Sequence, residues 1–166
     1  MSEETRNPFS AADPTLGYLY QVRSALLWSL QRLKSQPDFL VSIETLDDVT
    51  FEAGDSTPIE LLQTKHHRNA TASLTDHSTD LWKTLRIWFA GAESGTILPT
   101  TSLVLVTTGV APDGSAATRL RKERRDVAAA KQALDSVASS SSNQANVAAY
   151  AAYQKASSSS RIDLLE

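Results

Sequence analysis

The chain has 166 residues, enough for one domain with a single core of three or four strands and flanking helices. Its 16 Lys and Arg against 19 Asp and Glu give a formal charge of -3, which excludes a protein that coats nucleic acid by bulk electrostatics; any DNA contact has to be local. With no cysteine, disulfide frameworks, thiolate zinc sites and cysteine nucleophiles are excluded as well.

The opening Met-Ser-Glu-Glu-Thr-Arg has no signal-peptide pattern, and no stretch approaches the roughly 20 apolar residues of a membrane span, so the expectation is a cytoplasmic protein without a membrane partner. Residues 1–13 read as a polar arm. Leu16, Leu19, Val22, Leu26, Leu30 and Leu33 then recur at helical spacing up to Pro37, which predicts a helix over about 15–35 with these leucines toward the core. From Phe39 the period changes to two: Phe39, Val41 and Ile43 alternate with Leu40, Ser42 and Glu44, and Val49 and Phe51 alternate with Asp48, Thr50 and Glu52, with Asp48 opening the second strand. Gly54, Asp55, Ser56 and Pro58 signal a turn, and Ile59 to Lys65 completes a three-stranded meander. Caps between Thr75 and Ser78 precede a stripe of Leu81, Trp82, Leu85, Trp88 and Phe89, a helix expected to end at Gly91.

Ser102 to Thr108 is a nearly continuous β-branched and apolar run, the mark of a strand covered on both faces, and is expected at the centre of the sheet. A loop through Pro112-Asp113-Gly114 leads to a basic helix from Arg119, a break at Ser139 to Ser142, and an Ala-rich helix near Gln144 to Lys155; Ser157 to Ser160 reads as loop or linker. The order helix, three strands, helix, buried strand and C-terminal helices is α/β. The domains expected are the arm 1–13, a catalytic domain 14–138, and a Ser/Ala-rich helical extension or linker, 139–166, toward a further module.

Gln63 and Lys65 lie two apart on the third strand and share one sheet face, and Asp48 on the neighbouring strand can bring its carboxylate alongside. This set suits phosphodiester hydrolysis with a hard cation: Mg²⁺, with Mn²⁺ as a substitute, would take the Asp48 carboxylate, the Gln63 amide oxygen and the Thr64 backbone carbonyl. Lys65 would position the attacking water and offset charge in the transition state. One residue of register decides between Asp47 and Asp48, with Asp48 favoured because it precedes the alternating Val49 and Phe51. Glu44 is either a further ligand or a solvated strand end, and Gln21 either reaches over the site or packs. His66 and His67 are candidates for phosphate contact or plain surface residues. Arg119, Arg121, Lys122, Arg124 and Arg125 form either a phosphate-binding run or a solvated helix face.

The spacing of fifteen from Asp48 to Gln63, between a preceding helix and a following helix and buried strand, resembles the core of PD-(D/E)xK nucleases, in the glutamine variant of the Mrr-like branch. Read together, GYLYQ (17–21), IETLDDVTFE (43–52), ELLQTKHH (60–67) and DLWKTLRIW (80–88) resemble the double-stranded-DNA endonuclease domain at the N-terminus of bacterial anti-phage effectors. That resemblance covers about residues 14–108. It implies a restriction-endonuclease-like fold, duplex DNA as substrate, a bacterial host, and a nuclease activated when a fused or partner sensor or ATPase module oligomerises it. The alternatives on the same fold are a catalytically silent module for DNA binding or oligomerisation, and an RNase.

Overall fold

The computed structural model describes residues 12–67 and 72–166; the expected arm 1–13 lies almost wholly outside them. Leu40–Ile43 (β1), Val49–Glu52 (β2), Pro58–Lys65 (β3) and Ser102–Thr107 (β4) form one sheet in the order β1-β2-β3-β4. The first three strands are the expected antiparallel meander, and β4 runs parallel to β3. A parallel join needs a crossover, which the helix Thr79–Ser94 (α2) supplies. β4 is therefore an edge strand, not the central one expected. Its apolar run is still explained, because Leu103 and Leu105 pack on the α2 side while Val104 and Val106 pack on the other. Such a run reports covered faces, and says nothing about how many strands stand beside it.

α2 carries the main core through buried Leu81, Trp82, Leu85, Trp88 and Phe89. It continues past Gly91 and ends at Gly95, whose φ of 74° is the left-handed cap that glycine favours. Gly91 has a packing role instead: a Cβ there would stand 2.6 Å from the Cδ1 of buried Ile97.

The last helices are Val127–Ser140 (α4), Val147–Lys155 (α5) and Ser158–Leu165 (α6). Trp82 meets Tyr150 and Tyr153 of α5 edge to face at 4.6 and 5.5 Å, and Tyr153 also meets Phe89 at 5.3 Å. Asp135 of α4 accepts hydrogen bonds from Lys131, Tyr153 and Arg161, tying the three helices together. Residues 139–166, expected as an extension or linker, thus complete the core of the preceding segment. Ser157 caps α6 by accepting from the Ser160 N–H at 3.0 Å, so the serine run is a helix start and not a loop.

The basic run is not helical as expected. A short turn of helix, Ala116–Arg119 (α3), gives way to a 3-10 turn at Lys122–Arg124, and α4 starts only after Asp126, whose side chain accepts from the Ala129 N–H. An aspartate placed to cap competes with continuation through it.

The helix Ala12–Arg32 (α1) covers the opposite sheet face. Ser24, Ala25 and Trp28 are the residues turned toward the sheet, whereas the leucines expected in the core are exposed: Leu19 by 49%, Leu26 by 61% and Leu30 by 54%. α1 is apolar on two sides, and periodicity alone does not choose between them. Arg32 fixes one end by pairing with Glu60 at 2.5 Å and lying over the Phe51 ring, which makes Glu60 a partly buried ion-pair partner.

Candidate functional site

An open pocket of about 300 Å³ lies where β2 begins and β3 ends, and α2 forms one wall. Its lining brings together Glu44, Asp47, Asp48, Gln63 and Lys65. β3 explains half of this: Gln63 and Lys65 alternate with Leu62 and Thr64, so they share the side on which Leu61 meets α2.

The carboxylates come from a bend. β2 pairs with β3 from Val49 opposite Leu62, so Asp48 stands just before the strand rather than opening it. Where the ladder stops, the Asp48 side chain replaces it: Oδ2 accepts from the Thr64 N–H at 2.6 Å and from the Thr64 hydroxyl at 2.8 Å, and Oδ1 accepts no hydrogen bond from the described residues. Thr64, expected to offer a carbonyl, therefore also orients Asp48. Asp47 is buried, with Oδ2 accepting from the Trp88 indole N–H and Oδ1 from the Asp48 N–H, each at 2.9 Å. Burial pushes its pKa up; the bonds from Trp88 and the Asp48 N–H draw it down, the Asp48 charge raises it, and Lys65 lowers it, with a net rise. The two aspartates do not take opposite faces, because residues 44–48 are bent rather than extended and both reach one pocket.

Gln63 is 3% exposed, and its Oε1 is buried with no hydrogen-bond partner. Such an acceptor costs about 1–3 kcal/mol unless something satisfies it. Glu44 sits at φ 58°, a left-handed conformation that a glutamate adopts only when its surroundings hold it there. Its N–H donates to the Asp48 carbonyl, and its Oε1 accepts from Gln21 Nε2 at 2.7 Å. Gln21 is outside the pocket lining and acts by holding Glu44.

Other expected residues are elsewhere. His66 packs on the Tyr20 ring at 5.0 Å, and His67 pairs with Asp80 at 2.8 Å and donates its N–H to Thr108. Neither lines the pocket, and neither does any of Arg119, Arg121, Lys122, Arg124 and Arg125. Arg119 and Arg125 donate to the nearby Gly114 and Leu120 carbonyls, while Arg121, Lys122 and Arg124 are exposed.

The pocket also contains two cations that sequence reasoning missed, Lys83 and Arg86 of α2, both exposed. They are three apart and so share a side of the helix. In the sequence they read as its polar face; only the placement of α2 beside the end of β3 brings them into one pocket lining with Lys65.

Among the described residues no group of three or more His, Asp or Glu side chains is placed to hold a metal ion. The oxygen donors present are those Mg²⁺ prefers, an open carboxylate oxygen and an unsatisfied amide oxygen, and Mg²⁺ keeps several of its waters, so a full protein cage is not required. Among the described residues no helix is long and apolar enough to cross a membrane. No family model, no curated protein and no solved structure matches the chain.

Proposed function

We propose that the chain is a metal-dependent endonuclease with a restriction-endonuclease-like core, hydrolysing phosphodiester bonds of double-stranded DNA. The observation that carries this reading is one pocket in which Asp48, the orphaned Gln63 oxygen and Lys65 converge, with Lys83 and Arg86 beside them. The order α1, three antiparallel strands, α2 and a parallel fourth strand is compatible with that core.

In this reading Asp48 Oδ1, Gln63 Oε1 and the Thr64 carbonyl hold Mg²⁺ or Mn²⁺. The bound cation supplies Lewis acidity toward a phosphate oxygen and lowers the pKa of a coordinated water. Lys65 would hold the attacking water in line with the scissile phosphorus and offset the charge that grows on the phosphate oxygens as the leaving P–O bond breaks, the water giving a proton to solvent and the leaving oxygen taking one from it. Lys83 and Arg86 bind the flanking phosphates, a local attraction for a polyanion in a chain whose net charge is -3. Thr64 fixes the Asp48 carboxylate, Gln21 holds Glu44, and Asp47 stands behind Asp48 as a buried carboxylate held by Trp88. The resemblance of the sequence to anti-phage nuclease effectors supports a role in bacterial defence and activation by assembly.

The test is plasmid cleavage by Lys65→Ala. Removing a transition-state contact should lower the rate by about 100-fold or more, with Mn²⁺ affinity and circular dichroism kept. A variant that cuts at the wild-type rate removes Lys65 from the chemistry.

A further inference from the structure

We infer that α1 is a homodimer interface, pairing antiparallel with α1 of a second copy of this chain. Seven apolar side chains of this helix are more than a third exposed, Leu16, Tyr18, Leu19, Val22, Leu26, Leu27 and Leu30, and so is Leu33 in the turn that follows it. Together they present roughly 700 Å², above the ~300–600 Å² of the largest apolar patch on an ordinary monomer. Two such patches give about 1,400 Å², within the ~1,200–2,000 Å² of stable protein interfaces.

The spacing identifies the occupant as a helix. Leu16, Leu19, Arg23, Leu26, Leu30 and Leu33 are separated by alternating steps of three and four, the seam spacing of paired helices, while Ser24, Ala25 and Trp28 face the sheet. The seam is also complementary to itself. Turned antiparallel about a point between Arg23 and Leu26, it sets Leu16 against the partner's Leu33, Leu19 against the partner's Leu30, and Arg23 against the partner's Leu26. Every leucine then meets an apolar surface, because the arginine covers its neighbour with its methylene stem and keeps its charged head in water. A parallel pair would set Arg23 against the partner's Arg23 and bring like charges together. α1 is firm enough to serve as such a surface, since Gln21 to Glu44 and Arg32 to Glu60 bind it to the sheet at two points. No α1 residue lines the pocket. The inference rests on the surface of α1 and not on the chemistry of the pocket.

Light scattering on the full chain over a range of concentrations, together with cysteine cross-linking, tests it. The wild type should be a dimer at tens of micromolar, and Leu26→Glu, at an exposed position, should raise the dissociation constant at least 100-fold with an unchanged circular dichroism spectrum. Because the chain has no cysteine, Leu19→Cys and Leu30→Cys can be introduced singly. The antiparallel register gives a disulfide-linked dimer when the two variants are mixed and oxidised, and little from either alone. A monomer at all concentrations, a dimer indifferent to Leu26→Glu, or cross-linking of each variant with itself would overturn the inference. So would a monomer that dimerises only after residues 1–11 are removed, which would mean that the chain covers this face itself.

Discussion

Gln63 offers a test that needs no substrate. Its Oε1 is buried without a hydrogen bond in a side chain only 3% exposed, a loss of about 1–3 kcal/mol relative to a satisfied group. Methionine has nearly the same length and flexibility and no oxygen to satisfy. In EDTA, Gln63→Met should therefore be more stable than the wild type by roughly 1–3 kcal/mol, read from urea unfolding. If Gln63 and Asp48 hold a divalent cation, the wild type recovers this difference on binding: at a concentration 100 times the dissociation constant, the gain is about 2.7 kcal/mol. The variant, lacking one of the ligands, should gain far less, so the stability order closes or reverses between EDTA and Mn²⁺. A Gln63→Met protein that is less stable in EDTA would show that the amide is already satisfied. Equal stabilisation of both proteins by Mn²⁺ would show that Gln63 is not a ligand.

Further outcomes follow from the same pocket and from α2. The raised pKa of Asp47 means that the folded protein binds its proton more tightly than the unfolded chain, so this group's contribution to stability is lost as pH rises through its folded pKa. Asp47→Asn keeps an acceptor for the Trp88 indole without the buried charge; it should be more stable than the wild type at pH 7–8 in urea titrations, with the difference shrinking toward pH 4. Asp48→Asn, by contrast, removes the charge that Thr64 orients and should lower plasmid cleavage by about 100-fold or more in the same assay as Lys65→Ala. Gly91→Ala brings a Cβ to 2.6 Å from Ile97 Cδ1 and 2.7 Å from Cγ1, overpacking that should cost about 1–3 kcal/mol in thermal unfolding. Adding Ile97→Val to Gly91→Ala removes the Cδ1 atom nearest the new methyl and should restore part of that loss.

The meander, α2 and the strand after it were legible because each couples a clear period to turn or cap residues, and Gln63 and Lys65 share a face by strand geometry alone. What escaped depends on contacts between distant segments. The period of α1 showed two apolar sides without showing which one the sheet takes. The edge position of β4 is set by strand order, which its own residues do not encode. Strand register makes Asp47 and Asp48 alternatives, whereas the bend before Val49 brings both to the pocket, with Trp88 and Thr64 as their partners. Lys83 and Arg86 belong to the site only because α2 lies across the end of β3. Composition marks the serine-rich tail as loop, whereas a single capping serine starts a helix there.

A nuclease of this kind must cleave nucleic acid only when a divalent metal is present. Supercoiled plasmid and a long RNA would be incubated with the purified chain, at a concentration where light scattering finds it dimeric, in Mg²⁺ and in EDTA. The plasmid should be nicked and then linearised in Mg²⁺ only, and the RNA spared. Cleavage that persists in EDTA would contradict the metal site, cleavage of RNA alone would contradict the substrate, and intact plasmid and RNA in both conditions would contradict the nuclease itself.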